Sequence, residues 1–292
     1  MHDGEVLNAH CQIFIASEYN VILNGTEDPD EQFIMREFTS VNGSVSANVA
    51  IKLASNNGIT KPFIVVEGFD PVGLNLLNAD DLFGTTRYDK FYSDYLEQGI
   101  NPFKEFDYIY IDWYNSTADI RQNAYLLIDI IEYINNIKTT SEPLVIMGQS
   151  MGGLVTRYAL RFMELANKPH YVSTFISHDV PHLGANVPLG LIYCFHQLIC
   201  CLNENDHIIP DKYTKDILYA YYNILHSDAA KQMLINYVDV DGNLDNSIHN
   251  DWQNTLNELG FPRGDCGRNI ENLAIINGAT YQINKDLISD KY

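Results

Sequence analysis

The sequence predicts an α/β fold, a mainly parallel central sheet with helices on both faces and an inserted cap. Three observations carry that prediction. Short β-branched runs such as "PFIVVEGFD" (62–70) and "PLVIMG" (143–148) recur along the chain. Between them lie longer stretches whose apolar residues repeat at helical spacing, and strands bridged by helices imply right-handed crossovers and a sheet buried on both sides. Residues 183–250 then break the alternation with apolar and aromatic residues, which marks an insertion.

In chain order, "SVSANVAIKLA" (44–54) alternates as a strand, "NNG" turns it, and 62–70 is a short run suited to a buried strand. "ADDLFGTTRYDKFYSDYLEQG" (79–99) reads as a helical region ended by Gly99, and "FDYIYIDWY" (106–114) as the second buried strand. Within 117–137, Ile120, Ala124, Leu127, Ile131 and Ile134 fall on one helical stripe. The third strand (143–148) runs into "GGLVTRYALRFMELA", a helix with Val155, Ala159, Phe162 and Ala166 on one face. "YVSTFISHDV" (171–180) and "NLAIINGA" (272–279) complete the series as fourth and fifth strands.

No repeat, low-complexity tract or linker-like segment divides the chain, so 1–292 reads as a single domain carrying its cap at about 183–250. Hydrophobic residues at 46% and charged residues at 19% are globular proportions. With 38 acidic against 18 basic residues the formal charge is −20, which repels phosphate backbones and anionic membrane surfaces, so no nucleic-acid partner is expected. Cys11, Cys194, Cys200, Cys201 and Cys266 show no metal-type spacing and do not fix a compartment. The longest apolar run, "GLIYCFHQLICCL" (190–202), is too short to span a bilayer and is interrupted by His196 and Gln197, so no transmembrane segment is expected.

The chemistry concentrates in "LVIMGQSMGGLVTRYAL" (144–160). A strand that turns directly into a helix while presenting a side chain outward needs a strained backbone and small neighbours. Gly148 and Gly152 supply these around Ser150. The hydroxyl then stands at the carboxyl end of the sheet and at a helix amino terminus, where N–H groups favour developing negative charge. Gly148-Gln149-Ser150-Met151-Gly152 is thus a G-x-S-x-G elbow in its proper context, a nucleophile position.

With "VEGFDP" after the first core strand, "GQSMGGLVTRYAL" after the third and "SHDVPHLGANVP" after the fourth, the chain resembles the α/β-hydrolase family over about residues 40–280. Within that family it is similar to lipases and GPI-inositol-deacylase-like serine esterases. The resemblance implies an oxyanion hole formed by the backbone N–H groups of Phe69 and Met151; no cofactor and no metal are expected. It also suggests export, to the periplasm or outside the cell. The family's chain order is Ser, then Asp or Glu, then His. For the acid, Asp179 closes the fourth strand and Asp286 follows the fifth, with Asp179 preferred because Pro181-His182-x-Gly184 resembles a lipase segment bordering the active site.

No histidine follows the fifth strand; the last in the sequence is His249. Three readings stay open: a carboxyl-terminal strand and histidine segment beyond Tyr292, a base drawn from His182, His178 or His249, or an inactive chain. The first is favoured, because a sheet that stops at the fifth strand exposes an unpaired edge. "DVDGNLDNSIHND" (239–251) gathers acidic and amide oxygens, but Leu244 stands where an EF-hand loop needs glycine, so a solvated acidic turn is expected.

The cap presents Leu191, Ile192, Phe195, Leu198, Ile199, Tyr219, Tyr221 and Tyr222 either as an acyl-binding wall or as helices packed on the core. Taken together, the sequence points to a serine hydrolase of a small-molecule or lipid ester acting through an acyl-enzyme on Ser150. The competing reading is a catalytically incomplete binding protein that holds an apolar ligand on the same scaffold.

Overall fold

A computed structural model describes residues 27–28, 33–70, 105–204 and 212–276. The helix expected over 79–99, Pro71 and Asp286 lie outside the described residues. Eight strands form one sheet in the order β1-β2-β3-β5-β4-β6-β7-β10. These are β1 (Glu27–Asp28), β2 (Phe33–Thr39), β3 (Ser46–Lys52), β4 (Pro62–Val66), β5 (Asp107–Trp113), β6 (Leu144–Gln149), β7 (Val172–His178) and β10 (Glu271–Ile275). From β5 through β4, β6 and β7 to β10 every pairing is parallel, whereas β1, β2 and β3 join antiparallel. The sheet is therefore mainly parallel, as the alternation of runs implies. A further hairpin, β8 (Tyr237–Val238) with β9 (Leu244–Asp245), stands apart from it.

Helices α1 (Ile120–Ile137) and α2 (Met151–Leu165) pack against each other on one face. The stripe expected on α1 is buried in full: Ile120, Ala124, Leu127, Ile131 and Ile134 are all inaccessible to solvent. Asp119 caps α1 by accepting the Arg121 N–H. The α2 helix is buried from Met151 through Met163, so it forms the centre of the main core with Ile64, Val66, Ile109, Ile111 and Ile146 of the sheet. A smaller apolar cluster of Ala50, Val65, Tyr108, Tyr110 and Met147 occupies the opposite face.

The segment expected as a cap holds α3 (Leu189–Glu204), α4 (Lys212–Leu225) and α5 (Asp228–Met233), followed by the β8–β9 hairpin and α6 (Ser247–Leu259). Its two halves differ. Helices α3 and α4 pack on each other, with Leu191 and Tyr221 exposed. By contrast Ala229 and Met233 of α5, and Trp252 and Leu256 of α6, belong to the main core and lie against α1 and α2. Apolar composition did not separate these two environments. Among the described residues no helix is long and apolar enough to cross a membrane.

Candidate active site

The registers of the central strands bring three chain segments to one level. Val66 pairs with Gly148, Gly148 with Ser177, and Gln149 with His178. Just beyond these pairs the carboxyl edge of the sheet carries Glu67–Asp70, Ser150 and Asp179.

Ser150 occupies the turn from β6 into α2 with φ 49° and ψ −122°, a left-handed conformation that a non-glycine residue adopts only where its surroundings impose it. Its N–H donates to His178 O at 2.9 Å and its carbonyl accepts the Gly153 N–H at 3.1 Å. The side chain is exposed and makes no capping hydrogen bond to the helix, so helix capping does not account for this serine. The flanking glycines answer to close packing. A β-carbon on Gly148 would stand 2.4 Å from Gly153 Cα, and one on Gly152 would stand 2.3 Å from Val66 O.

Met151 is fully buried in the first turn of α2, and Phe69 packs against the main core from the loop after β4. That loop passes close to the serine: a β-carbon on Gly68 would come within 3.0 Å of Ser150 Cβ. Two residues, Trp113 at the end of β5 and Ser116 just beyond it, hold that loop. Trp113 donates its backbone N–H to Glu67 Oε2 at 3.0 Å and its indole Nε1–H to Glu67 O at 3.1 Å. The Asp70 N–H donates to Ser116 Oγ at 2.9 Å, and the Ser116 hydroxyl donates back to Asp70 O. Sequence reading missed Glu67, Trp113 and Ser116; the one available signal was a carboxylate at the end of the apolar run "PFIVV".

Asp179 also adopts a positive φ, 50°, and its N–H donates to Ile275 O at 2.9 Å. The three histidines weighed as bases fall in different places. His178 ends β7 and meets Ser150 through its carbonyl. His182 directs Nε2 to Ser177 Oγ at 3.0 Å and sets its ring edge-on to Phe261, with centroids 4.9 Å apart. Burial, helped by the nearby Arg157 guanidinium, holds its pKa down to about 4, so the imidazole is neutral at pH 7. His249 is buried in α6 and bonds Gln232 O through Nδ1 at 2.9 Å. Among the described residues no histidine is hydrogen-bonded to Ser150 Oγ.

The acidic turn is used internally: Asp239 Oδ1 accepts the N–H groups of Asp241 and Asn243 at 2.9 and 2.8 Å. Among the described residues no group of three His, Cys, Asp or Glu side chains is placed to hold a metal ion.

No curated protein matches the chain. Among solved structures it is similar to Cfl2 from Burkholderia cenocepacia, at 12% identity over 87% of this chain and 92% of that one, with a TM-score of 0.40. It is also similar to an acetyl xylan esterase from Paenibacillus sp. R4, at 9% identity over 96% and 89% of the two chains, with a TM-score of 0.42. These scores are too low to bear on its chemistry. The narrower likeness to GPI-inositol-deacylase-like esterases finds no counterpart in the family match. The model of the lecithin:cholesterol acyltransferase family, which is of α/β-hydrolase type, matches residues 54–233, more than half of the sequence, and the chain belongs to that family.

Proposed function

We propose that the protein is a serine hydrolase that cleaves a carboxylic ester, with lipid esters the first class to test, through an acyl-enzyme on Ser150. The observation that carries this reading is the conformation of Ser150. Its strained φ of 49° projects an exposed hydroxyl, unused by the helix, at the carboxyl edge of the central strand. Membership of an acyltransferase family supports ester chemistry in general.

In the proposed reaction the Ser150 oxygen attacks the ester carbonyl and its proton passes to a base. The N–H groups of Phe69 and Met151 hold the resulting oxyanion, and Asp179 is the proposed acid that orients the base. Collapse of the tetrahedral intermediate expels the alcohol, and water then releases the acid from Ser150. The expected cap, with the exposed Leu191 and Tyr221 on α3 and α4, would line the acyl side.

One observation favours the second reading, a binding protein on the same scaffold. Two of the three candidate bases are engaged elsewhere, His182 with Ser177 and His249 with Gln232.

Labelling with a fluorophosphonate followed by peptide mapping separates the two, with Ser150→Ala as control. Modification confined to Ser150 is the expected result, because it requires an activated hydroxyl and an oxyanion site. A folded protein that takes no label overturns the hydrolase reading in favour of the binding protein.

A further inference from the structure

Resting on that hydrolase reading, we propose that residues 113–116 form a brace that aims the Phe69 N–H at the oxyanion, with Glu67 and Ser116 as positioning residues. The donor is flanked by Gly68, which imposes no conformational preference of its own. Space favours a glycine beside this donor, since a β-carbon would meet Ser150 Cβ and Gln149 O at 3.0 Å. The stiffness that Gly68 cannot supply has to come from the residues on either side of the Gly68–Phe69 pair.

Both sides are anchored, and to one stretch of chain, β5 and the turn that follows it. Upstream, Glu67 is held at four points: its N–H donates to Ile111 O at 3.1 Å, its carbonyl accepts the Trp113 indole at 3.1 Å, and its carboxylate accepts the Trp113 N–H at 3.0 Å and the Tyr110 hydroxyl at 3.5 Å. Downstream, Ser116 both accepts from the Asp70 N–H and donates to the Asp70 carbonyl, so that one hydroxyl fixes both peptide planes of that residue. Glu67 and Ser116 are each 1% exposed. Burying a carboxylate and a hydroxyl is unfavourable unless each is satisfied, so their presence at this loop calls for a reason that apolar packing would not meet. The reason we assign is precision. A preorganised donor is effective only where it points at the developing charge, and small displacements are costly in rate.

The test compares Ser116→Ala, Trp113→Phe, Glu67→Ala and Glu67→Gln with the unaltered protein. The readouts are hydrolysis of a short-chain p-nitrophenyl ester, the rate at which a fluorophosphonate modifies Ser150, and the thermal midpoint. Ser116→Ala and Trp113→Phe are expected to lower kcat and the phosphonylation rate together, by about 10- to 100-fold, with KM held within about twofold. Glu67→Gln keeps an acceptor for the Trp113 N–H and should restore most of what Glu67→Ala loses. If these variants shift the thermal midpoint while kcat and labelling stay at the unaltered level, Glu67 and Ser116 are structural only and the brace is overturned. A Ser150 that is unlabelled in the unaltered protein overturns the hydrolase reading itself, and the brace with it, so the two failures are told apart by that control.

Discussion

Gly152 lies against Val66 so closely that a β-carbon there would stand 2.3 Å from the Val66 carbonyl oxygen. Backbone oxygen cannot swing aside as a side chain does, so the end of β4 and the start of α2 would have to separate. Gly152→Ala is expected to lower stability by about 1–3 kcal/mol, read as a reduced urea midpoint with unchanged slope. Because the separation opens the elbow, fluorophosphonate labelling of Ser150 should fall with it.

Ser150 itself stores strain, since its φ of 49° suits glycine better than any other residue. Ser150→Gly should raise stability by about 1 kcal/mol while abolishing labelling. A destabilised Ser150→Gly protein would mean that the serine is held by contacts and not forced into its conformation.

Burial raises the pKa of Asp129 on α1 to about 6, with the neighbouring Glu132 adding to the shift. The sign follows from linkage: a carboxyl with a higher pKa folded than unfolded opposes folding once pH rises above its unfolded value near 3.8. Asp129→Asn is therefore expected to be more stable at pH 7 by about 1–2 kcal/mol, with the gain shrinking through pH 6 and gone below pH 4. Paired denaturation curves across that range would show it.

His182 acts in the opposite sense over an overlapping window. Its folded pKa of about 4 lies below the unfolded 6.5, so the neutral ring contributes stability above pH 6.5 that is lost as pH falls toward 4. His182→Gln should flatten the stability profile between those values. Because the ring bonds Ser177 and not Ser150, the same variant should leave the labelling rate within about threefold. A collapse in labelling would instead make His182 the base.

What the sequence revealed was local. Strands β4, β5, β6 and β7 are legible because runs such as "FIVV" and "YIYI" are buried on both sides and need no partner to be recognised. The elbow is legible for the same reason, its glycine spacing being set within five residues. β2 was missed because Phe33–Thr39 mixes Met35, Arg36 and Glu37 into its pattern, and its antiparallel pairing with β3 depends on the Asn42-Gly43 turn, with Gly43 at φ 69°. The clamp on Glu67 comes from Trp113, 46 positions away, and no local pattern announces it. The base is hidden for a like reason, since a histidine's role is decided by what it faces, and His182 and His249 face Ser177 and Gln232.

The main-chain bonds at the carboxyl edge run outward as a relay, from the Ser150 N–H to His178 O and from the Asp179 N–H to Ile275 O. Its outer end is β10, whose residues are all exposed and which pairs with β7 alone among the described strands. In amide exchange the relay should come apart in order, the Asp179 proton first by local fraying of β10, and the Ser150 proton only with the opening of the central sheet. That order would put the candidate nucleophile in a slower-opening part of the sheet than the residue proposed to orient its base.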